Sequence, residues 1–281
     1  MTPLAPGTTA RRMFGLVEPI GLIPYVVAEP SEAMMALGLG NYWDTYFAGR
    51  AAPLGRDVPA GVVHAIFYNF APGEAARHIP RVWDLITPEA ALAARDRGCV
   101  MALRRMLGDL AESPSVARAA DLAVKAATHP RTEGRPLYAA LRTLPAPEEP
   151  LARLWYAANL LREHRGDGHV VALAANGIGG TEAHVLHALS EGMPAEKFGR
   201  VWHLPRAQLA AVVDGMRDRG LIGADGWLTD EGQAAKARIE ALTDDLAAPA
   251  YDALDPSELD QLIADLEPIA DALNTAYGAE N

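Results

Sequence analysis

The residues best suited to chemistry lie in one short stretch, 162–169, in which six of the eight side chains are ionisable. A histidine with a near-neutral pKa can transfer a proton when a neighbouring carboxylate fixes its tautomer, and an arginine can hold an anionic or carbonyl substrate. The stretch contains all three kinds of group. The candidate catalytic residues are Glu163, His164, Asp167 and His169, and the candidate ligand-binding residues are Arg162 and Arg165.

The same charges also fit a structural interpretation, in which they pair with one another around a turn. The stretch lies between two apolar segments, 151–161 and 170–175. Gly166 and Gly168 favour a turn, because glycine adopts backbone conformations closed to other residues and lets another chain or a ligand approach closely. We therefore expect a helix end and a turn here. The charges should either pair or face a wet pocket, because burying one partner alone costs several kcal/mol.

Further candidates lie outside this stretch. His184 and His187 are three residues apart and share a helix face, with Glu182 nearby, an arrangement that can hold a divalent metal. Spacing this loose is common by chance, so we predict no metal site. No phosphate-binding glycine loop, nucleophilic serine elbow or HExxH motif is present, which argues against nucleotide hydrolases, esterases of the usual kind and zinc proteases. The sequence does not identify a cofactor. His184 and His187 remain candidates for binding a ligand. The other ligand-binding candidates, across a cleft, are Arg50, His64, Tyr68 and Asn69, although Tyr68 also fits an aromatic core.

Helical periodicity dominates the chain, and the predicted fold class is mainly α. Residues 1–30 are rich in proline and glycine, and Ser31 is expected to cap a helix that begins at Glu32. One strand signal stands out, at 220–229, where Asp225-Gly226 predicts a tight hairpin turn. The predicted helices are 32–48, 60–70, 72–84, 88–111, 115–128, 136–143, 148–164, 168–176, 180–191, 194–200, 205–219, 229–247 and 255–276.

Composition sets the protein class. The chain has 281 residues, of which 50% are apolar, which is enough for one large or two small domains with a real core. No apolar run approaches the roughly 18 to 20 residues that a membrane span needs, and no secretory signal pattern is present, so we expect a cytoplasmic protein without a membrane partner. The single cysteine, Cys99, excludes an intramolecular disulfide and a cysteine-rich zinc site.

The net charge of −11 is concentrated at the C-terminus. From residue 241 onward there are ten acidic residues and no Lys or Arg, which leaves −1 for residues 1–240. This tail should repel nucleic acid. Its apolar residues recur at helical spacing and form a stripe that needs a partner, either the same module or a second chain, and we favour a homodimer. The stripe comprises Leu259, Leu262, Ile263, Leu266, Ile269 and Leu273.

The order of elements around the hairpin resembles the C-terminal half of a MarR-type winged helix. The resemblance rests on Arg-Gly-Leu-Ile at 219–222 and Leu-Thr-Asp-Glu-Gly at 228–232, which flank the predicted hairpin. It implies a recognition helix at 204–219 and a wing at 221–228, with supporting helices at 181–191 and 195–200. Phe-Ala-Gly-Arg-Ala-Ala-Pro-Leu-Gly at 47–55, Phe-Tyr-Asn-Phe-Ala-Pro at 67–72 and the stretch at 163–169 resemble an actinobacterial family of helix-turn-helix proteins of unknown function.

A weak internal repeat with an offset of 108 residues aligns Val62-Val63 with Val170-Val171 and Glu74-Ala75 with Glu182-Ala183. Chance and duplication explain it equally well, and duplication would give two related helical modules facing each other across a cleft. The predicted organisation is an N-terminal helical module at 1–145, which duplication would make a divergent repeat, a winged-helix-like module at 146–247, and an acidic C-terminal helix at 248–281.

DNA binding by a winged helix depends on Lys and Arg that neutralise phosphates. Residues 200–240 hold six basic and six acidic side chains, and the wing tip at 223–226 has no cation. DNA binding is therefore possible but disfavoured, with Arg206, Arg217 and Arg219 as its candidate contacts. We favour a small-molecule-binding or catalytic protein with an acid/base pocket between helical modules. The alternative is a ligand-responsive MarR-like regulator that binds DNA as a dimer.

Overall fold

A computed structural model of the chain describes residues 6–197 and 204–280. The described residues are mainly helical, as predicted, and their one β pairing is an isolated antiparallel bridge between Ile222 and Leu228. The α-helices are α1 Pro6–Gly21, α2 Ile23–Val26, α3 Ala28–Met35, α4 Tyr42–Ala51, α5 Ala60–Phe67, α6 Glu74–His78, α7 Pro88–Leu107, α8 Pro114–Ala127, α9 Pro136–Leu141, α10 Pro150–Ala175, α11 Gly180–Ser190, α12 Arg206–Asp218, α13 Asp230–Ala247 and α14 Pro256–Glu280.

The N-terminal region is more helical than its proline and glycine content indicates. Helix α1 places Met13, Val17 and Ile20 on one face at spacings of four and three residues, and all three are buried. The predicted cap at Ser31 is wrong, because Ser31 lies inside α3 and its hydroxyl donates to the carbonyl oxygen of Ala28 at 3.0 Å. Proline at the first turns of helices costs little, which lets helices begin in this proline-rich segment.

Residues 162–169 lie in the middle of a continuous helix, so the predicted helix end and turn are wrong. Helix α10 runs through both Gly166 and Gly168. Glycine is needed at position 168 because the side chain of Arg135 packs directly against the helix there. A Cβ on residue 168 would lie 2.1 Å from Nη1 of Arg135. That guanidinium donates to the carbonyl oxygens of His164 at 2.6 Å and Leu246 at 2.9 Å. The glycine therefore makes room for an arginine rather than for a turn.

Two apolar cores share α10. The larger core gathers α1–α9, the first half of α10, and α14. The smaller core comprises buried residues between Ala172 and Ile239, from the end of α10, α11, α12 and α13. Residues 162–169 lie where α10 passes from one core to the other.

The apolar stripe of α14 is covered within the chain. Leu262, Leu266, Ile269 and Leu273 are fully buried in the larger core, where α14 packs on α1 and α8. The stripe therefore needs no second chain, and the homodimer stays a prediction.

The C-terminal region carries the predicted hairpin in a minimal form. The amide of Gly223 donates to the carbonyl oxygen of Trp227 at 2.8 Å, beside the bridge, and Gly226 has a φ of 86° that suits a tight turn. The predicted helix at 194–200 falls partly outside the described residues, and Ala195–Lys197 forms a single 3-10 turn. No helix among the described residues is long and apolar enough to span a membrane.

Candidate functional site

A cleft of about 660 Å³ opens beside the middle of α10, between the two cores. Its lining comes from α1, α2, α4 and the end of α5 on the larger core, and from α11 and α13 on the smaller core. Nine of the candidate residues named from the sequence line it: Arg50, Tyr68, Asn69, Arg162, Glu163, Arg165, Asp167, His169 and His187.

Glu163 is the centre of the first polar group in the cleft. Its side chain is only 2% exposed, and its carboxylate accepts from Arg50 Nη2 at 2.9 Å and Arg162 Nη1 at 3.1 Å. Glu18 of α1 is the second partner of Arg162, at 3.2 Å. Burial opposes ionisation of Glu163, but the two guanidinium groups outweigh burial and hold the pKa of this carboxyl below its usual range.

Aromatic rings support these arginines and form one wall of the cleft. The guanidinium carbon of Arg50 lies 4.5 Å from the ring centroid of Phe67, and that of Arg162 lies 4.9 Å from the ring centroid of Tyr25. Arg50 Nη1 also donates to the hydroxyl of Tyr46 at 3.1 Å. The wall continues through Tyr42 and Trp43.

Arg165 anchors a second polar group, on the side of the smaller core. It donates to Asp244 at 2.8 Å and to Glu240 at 3.2 Å, both on α13. Arg11 of α1 reaches the same two carboxylates, each at 2.8 Å. The group therefore joins α1, α10 and α13 across the cleft.

Asp167 and His169 are two titratable groups of the cleft whose pKa values burial shifts in opposite directions. Burial raises the pKa of Asp167 to about 7, although the carboxylate accepts a hydrogen bond from the amide of Tyr138 at 2.9 Å. Burial lowers the pKa of His169 to about 4, so its ring is neutral at pH 7. The hydroxyl of Thr243 donates to Ile239 and thus accepts from His169 Nδ1 at 3.0 Å. The neutral ring therefore keeps Nε2 as an acceptor.

Three candidate histidines do not line the cleft. His164 is buried on the opposite side of α10, 5.0 Å from the ring of Tyr138, and burial lowers its pKa to about 3. His184 is 1% exposed in the smaller core, and His64 lies on α5 away from the lining. Among the described residues, no group of three His, Cys, Asp or Glu side chains is placed to hold a metal ion.

The cleft also contains residues that the sequence analysis did not identify. Phe14 and Glu18 come from α1, which was not predicted as a helix. Tyr46 is four residues before Arg50 on α4, so a helical wheel would have placed the two side by side. No local pattern indicates Glu240, which approaches Arg165 from 75 residues away.

The three candidate DNA contacts lie at the ends of α12, which is exposed along most of its length. Arg206 is exposed at its first turn. Arg217 donates to Asp214 at 2.5 Å, and Arg219 donates to Glu182 at 2.5 Å and to the carbonyl oxygen of Gly177 at 2.9 Å. Two of the three guanidinium groups are therefore already engaged by acidic neighbours.

Comparison with known proteins gives the family. The sequence model of a helix-turn-helix family matches residues 10–279, so the chain belongs to this helix-turn-helix family. This confirms the helix-turn-helix assignment made from the sequence. No curated protein and no solved structure matches the chain.

Proposed function

We propose that this helix-turn-helix family member binds a small organic molecule in the cleft beside α10. The observation that carries the proposal is a cleft of about 660 Å³ in which a buried, fully paired carboxylate, Glu163, lies against an aromatic wall. Ligand sites usually have volumes of about 300–1,000 Å³, apolar walls and a few fixed polar groups. The ion pairs hold Arg50 and Arg162 in place before any ligand arrives, which lowers the cost of ordering on binding.

The lining favours a planar molecule with hydrogen-bonding groups along one edge. Arg50 and Arg162 are balanced by Glu163 and Glu18, so neither guanidinium group is an unpaired cation that would demand a strong anion. Rings of the aromatic wall can stack on a flat ligand. Asp167, with a pKa of about 7, can donate a hydrogen bond when protonated. A phenol, an amide or a nitrogen heterocycle has the matching groups.

A fluorescent probe tests whether the cleft binds such molecules. Anilinonaphthalene sulfonate is aromatic and becomes bright in apolar sites, and its titration gives a Kd. Val170 lines the cleft, whereas its neighbour Val171 is 43% exposed outside it. We expect Val170→Trp to weaken binding roughly tenfold or more, because the indole fills the cleft, a loss of about 1.4 kcal/mol.

Val171→Trp is the matched control, because it adds the same ring to a surface position, and it should bind like the unmodified protein. Equal affinities for the two variants would contradict a site in the cleft. A screen of planar heterocycles against their saturated analogues, read by thermal shift, would then define the ligand class, since a bound ligand raises Tm.

DNA binding is the second candidate, favoured by the family and by the exposure of α12. In this proposal α11 and α12 form the helix-turn-helix, the bridge at Ile222 and Leu228 is a short MarR-like wing, and a cytoplasmic homodimer presents two copies of α12. The favoured ligand-binding proposal, by contrast, predicts no sequence-specific duplex binding at physiological salt. A nanomolar footprint would contradict this expectation, and its salt dependence would count the phosphates contacted.

The homodimer has its own measurement. The chain has a mass of 29.9 kDa, and sedimentation at rising concentration distinguishes a monomer from a dimer. A monomer at all concentrations up to about 100 μM would exclude a dimer with a Kd below about 100 μM. It would also exclude the paired α12 helices that DNA binding by this fold requires.

A further inference from the structure

We propose that Tyr68 is the mechanical link through which a molecule in the cleft acts on α12. The inference rests on the proposed ligand site and adds its regulation. Tyr68 lines the cleft at the end of α5, and its backbone and side chain both contact the segment that leads into α11.

The backbone of Tyr68 is in a strained turn. Its φ of 58° and ψ of −63° make it the central residue of a γ-turn, closed by a hydrogen bond of 2.7 Å from the amide of Asn69 to the carbonyl oxygen of Phe67. Among the described residues, it is the one non-glycine residue with a positive φ. Turns of this hand are rare and strained, so surrounding contacts must hold Tyr68 there.

Those contacts come from the smaller core. The hydroxyl of Tyr68 donates to the carbonyl oxygen of Ile178 at 2.6 Å, and Ile178 is 3% exposed in the smaller core. At the start of α11, Gly180 lies against the Tyr68 backbone so closely that a Cβ would be 2.1 Å from the Tyr68 carbonyl oxygen. The turn and the α10–α11 segment therefore fix each other.

The same segment is bound to α12 on its other side. Arg219, directly after α12, donates to the carbonyl oxygen of Gly177 at 2.9 Å and to Glu182 in the first turn of α11 at 2.5 Å. Tyr68 and Arg219 thus hold neighbouring residues of one short segment, 176–182. A molecule that displaces the Tyr68 ring moves this segment, and the ion pair of Arg219 carries the movement to the end of α12.

Hydrogen exchange in the full-length protein tests the link without any ligand. Tyr68→Phe removes only the hydroxyl that reaches Ile178. We expect exchange to quicken several-fold in 176–190 and 206–219, because those amides lose an anchor. Tyr42→Phe is the matched control: Tyr42 also lines the cleft, and its hydroxyl donates to the carbonyl oxygen of Tyr25 at 3.2 Å, on α2 rather than on the α10–α11 segment. It should leave exchange in both regions unchanged.

Gly180→Ala provides a second variant that perturbs the same contact from the opposite side, and it should quicken exchange in the same two regions. Unchanged exchange there in Tyr68→Phe, with circular dichroism showing both variants folded, would overturn the link. This comparison decides the link even where no probe binds.

Bound anilinonaphthalene sulfonate supplies the second readout. We expect the probe to alter exchange at 206–219 in the unmodified protein, and Tyr68→Phe to bind the probe without transmitting that change. Transmission of equal size in Tyr68→Phe would overturn the proposal while leaving the ligand site intact. Conversely, a Kd for the probe that Val170→Trp leaves unchanged would refute the ligand site alone.

Discussion

Replacing Glu163 by glutamine tests whether the polar centre of the cleft is held by charge. The substitution keeps the shape of the side chain and removes the negative charge. Glu163 is 2% exposed, while the side chains of its partners Arg50 and Arg162 are 15% and 19% exposed. Arg162 keeps Glu18 at 3.2 Å, but among the described residues Arg50 keeps only the neutral hydroxyl of Tyr46 and the ring of Phe67. The variant therefore leaves a nearly buried cation without a counter-ion.

Leaving one charge of a buried pair uncompensated costs about 3–5 kcal/mol. For a chain of this size, each kcal/mol lowers Tm by about 2–4 °C, so Glu163→Gln should lower Tm by roughly 6–20 °C. Urea denaturation followed by circular dichroism gives the free energy of unfolding directly. Arg50→Met in the same chain should recover part of the loss, with a coupling energy of about 0.5–3 kcal/mol.

The control is an exposed ion pair. Arg131 and Glu133 are 2.7 Å apart with side chains 86% and 68% exposed, and water screens such a pair so well that removing it costs little stability. A loss for Glu163→Gln as small as that for Glu133→Gln would refute the reasoning. The cleft would then admit enough water to solvate Arg50, and the centre would not be preorganised.

Two further predictions concern α10. Because burial raises the pKa of Asp167 to about 7, the native state holds this proton more tightly than the unfolded chain does, so stability should fall as pH rises from about 4 to about 7. Asp167→Asn should remove that fall and be the more stable protein at pH 8, and parallel pH profiles of unfolding would contradict this. Gly168→Ala should destabilise the protein, because its Cβ meets Arg135 at 2.1 Å, whereas Gly166→Ala, with 3.5 Å to its nearest neighbour, should be neutral or stabilising by up to about 1 kcal/mol in the same urea assay.

Much of the helical architecture follows from local pattern. Apolar spacing predicted most of the helices after residue 32. The segments 47–55, 67–72 and 163–169 indicated a helix-turn-helix family, which the family comparison confirms, whereas the MarR-like detail around the hairpin stays a prediction. The failures share a cause. Local pattern predicts breaks at the glycines and prolines of 1–30 and 166–168, but distant residues decide the conformation there. Arg135, which needs the space at Gly168, lies outside any local window.

The candidate site was predictable in its residue types but not in its pairings. The cluster at 162–169 was identifiable because charges beside apolar segments must pair or face water. Its partners could not be read from the sequence, because Arg50 is 113 residues from Glu163 and Asp244 is 79 residues from Arg165. The internal repeat with an offset of 108 residues does not predict these contacts either, because its two Arg- and Gly-containing segments differ in conformation. Residues 49–55 end a helix, whereas 164–168 lie inside one.

The structural and the functional interpretations of 162–169 are complementary. Helix α10 belongs to both cores, and its polar residues occur where neither core covers it. Glu163 is tied to α4 of the larger core, and Arg165 to α13 beside the smaller core, so the two ion-pair groups fix the distance between the walls of the cleft. Ion pairs that merely stabilised the fold would need no open volume between them. Here they border an aromatic wall and about 660 Å³ of open space, and the same bonds that join the cores also fix the shape of the cleft in which we propose that a ligand binds.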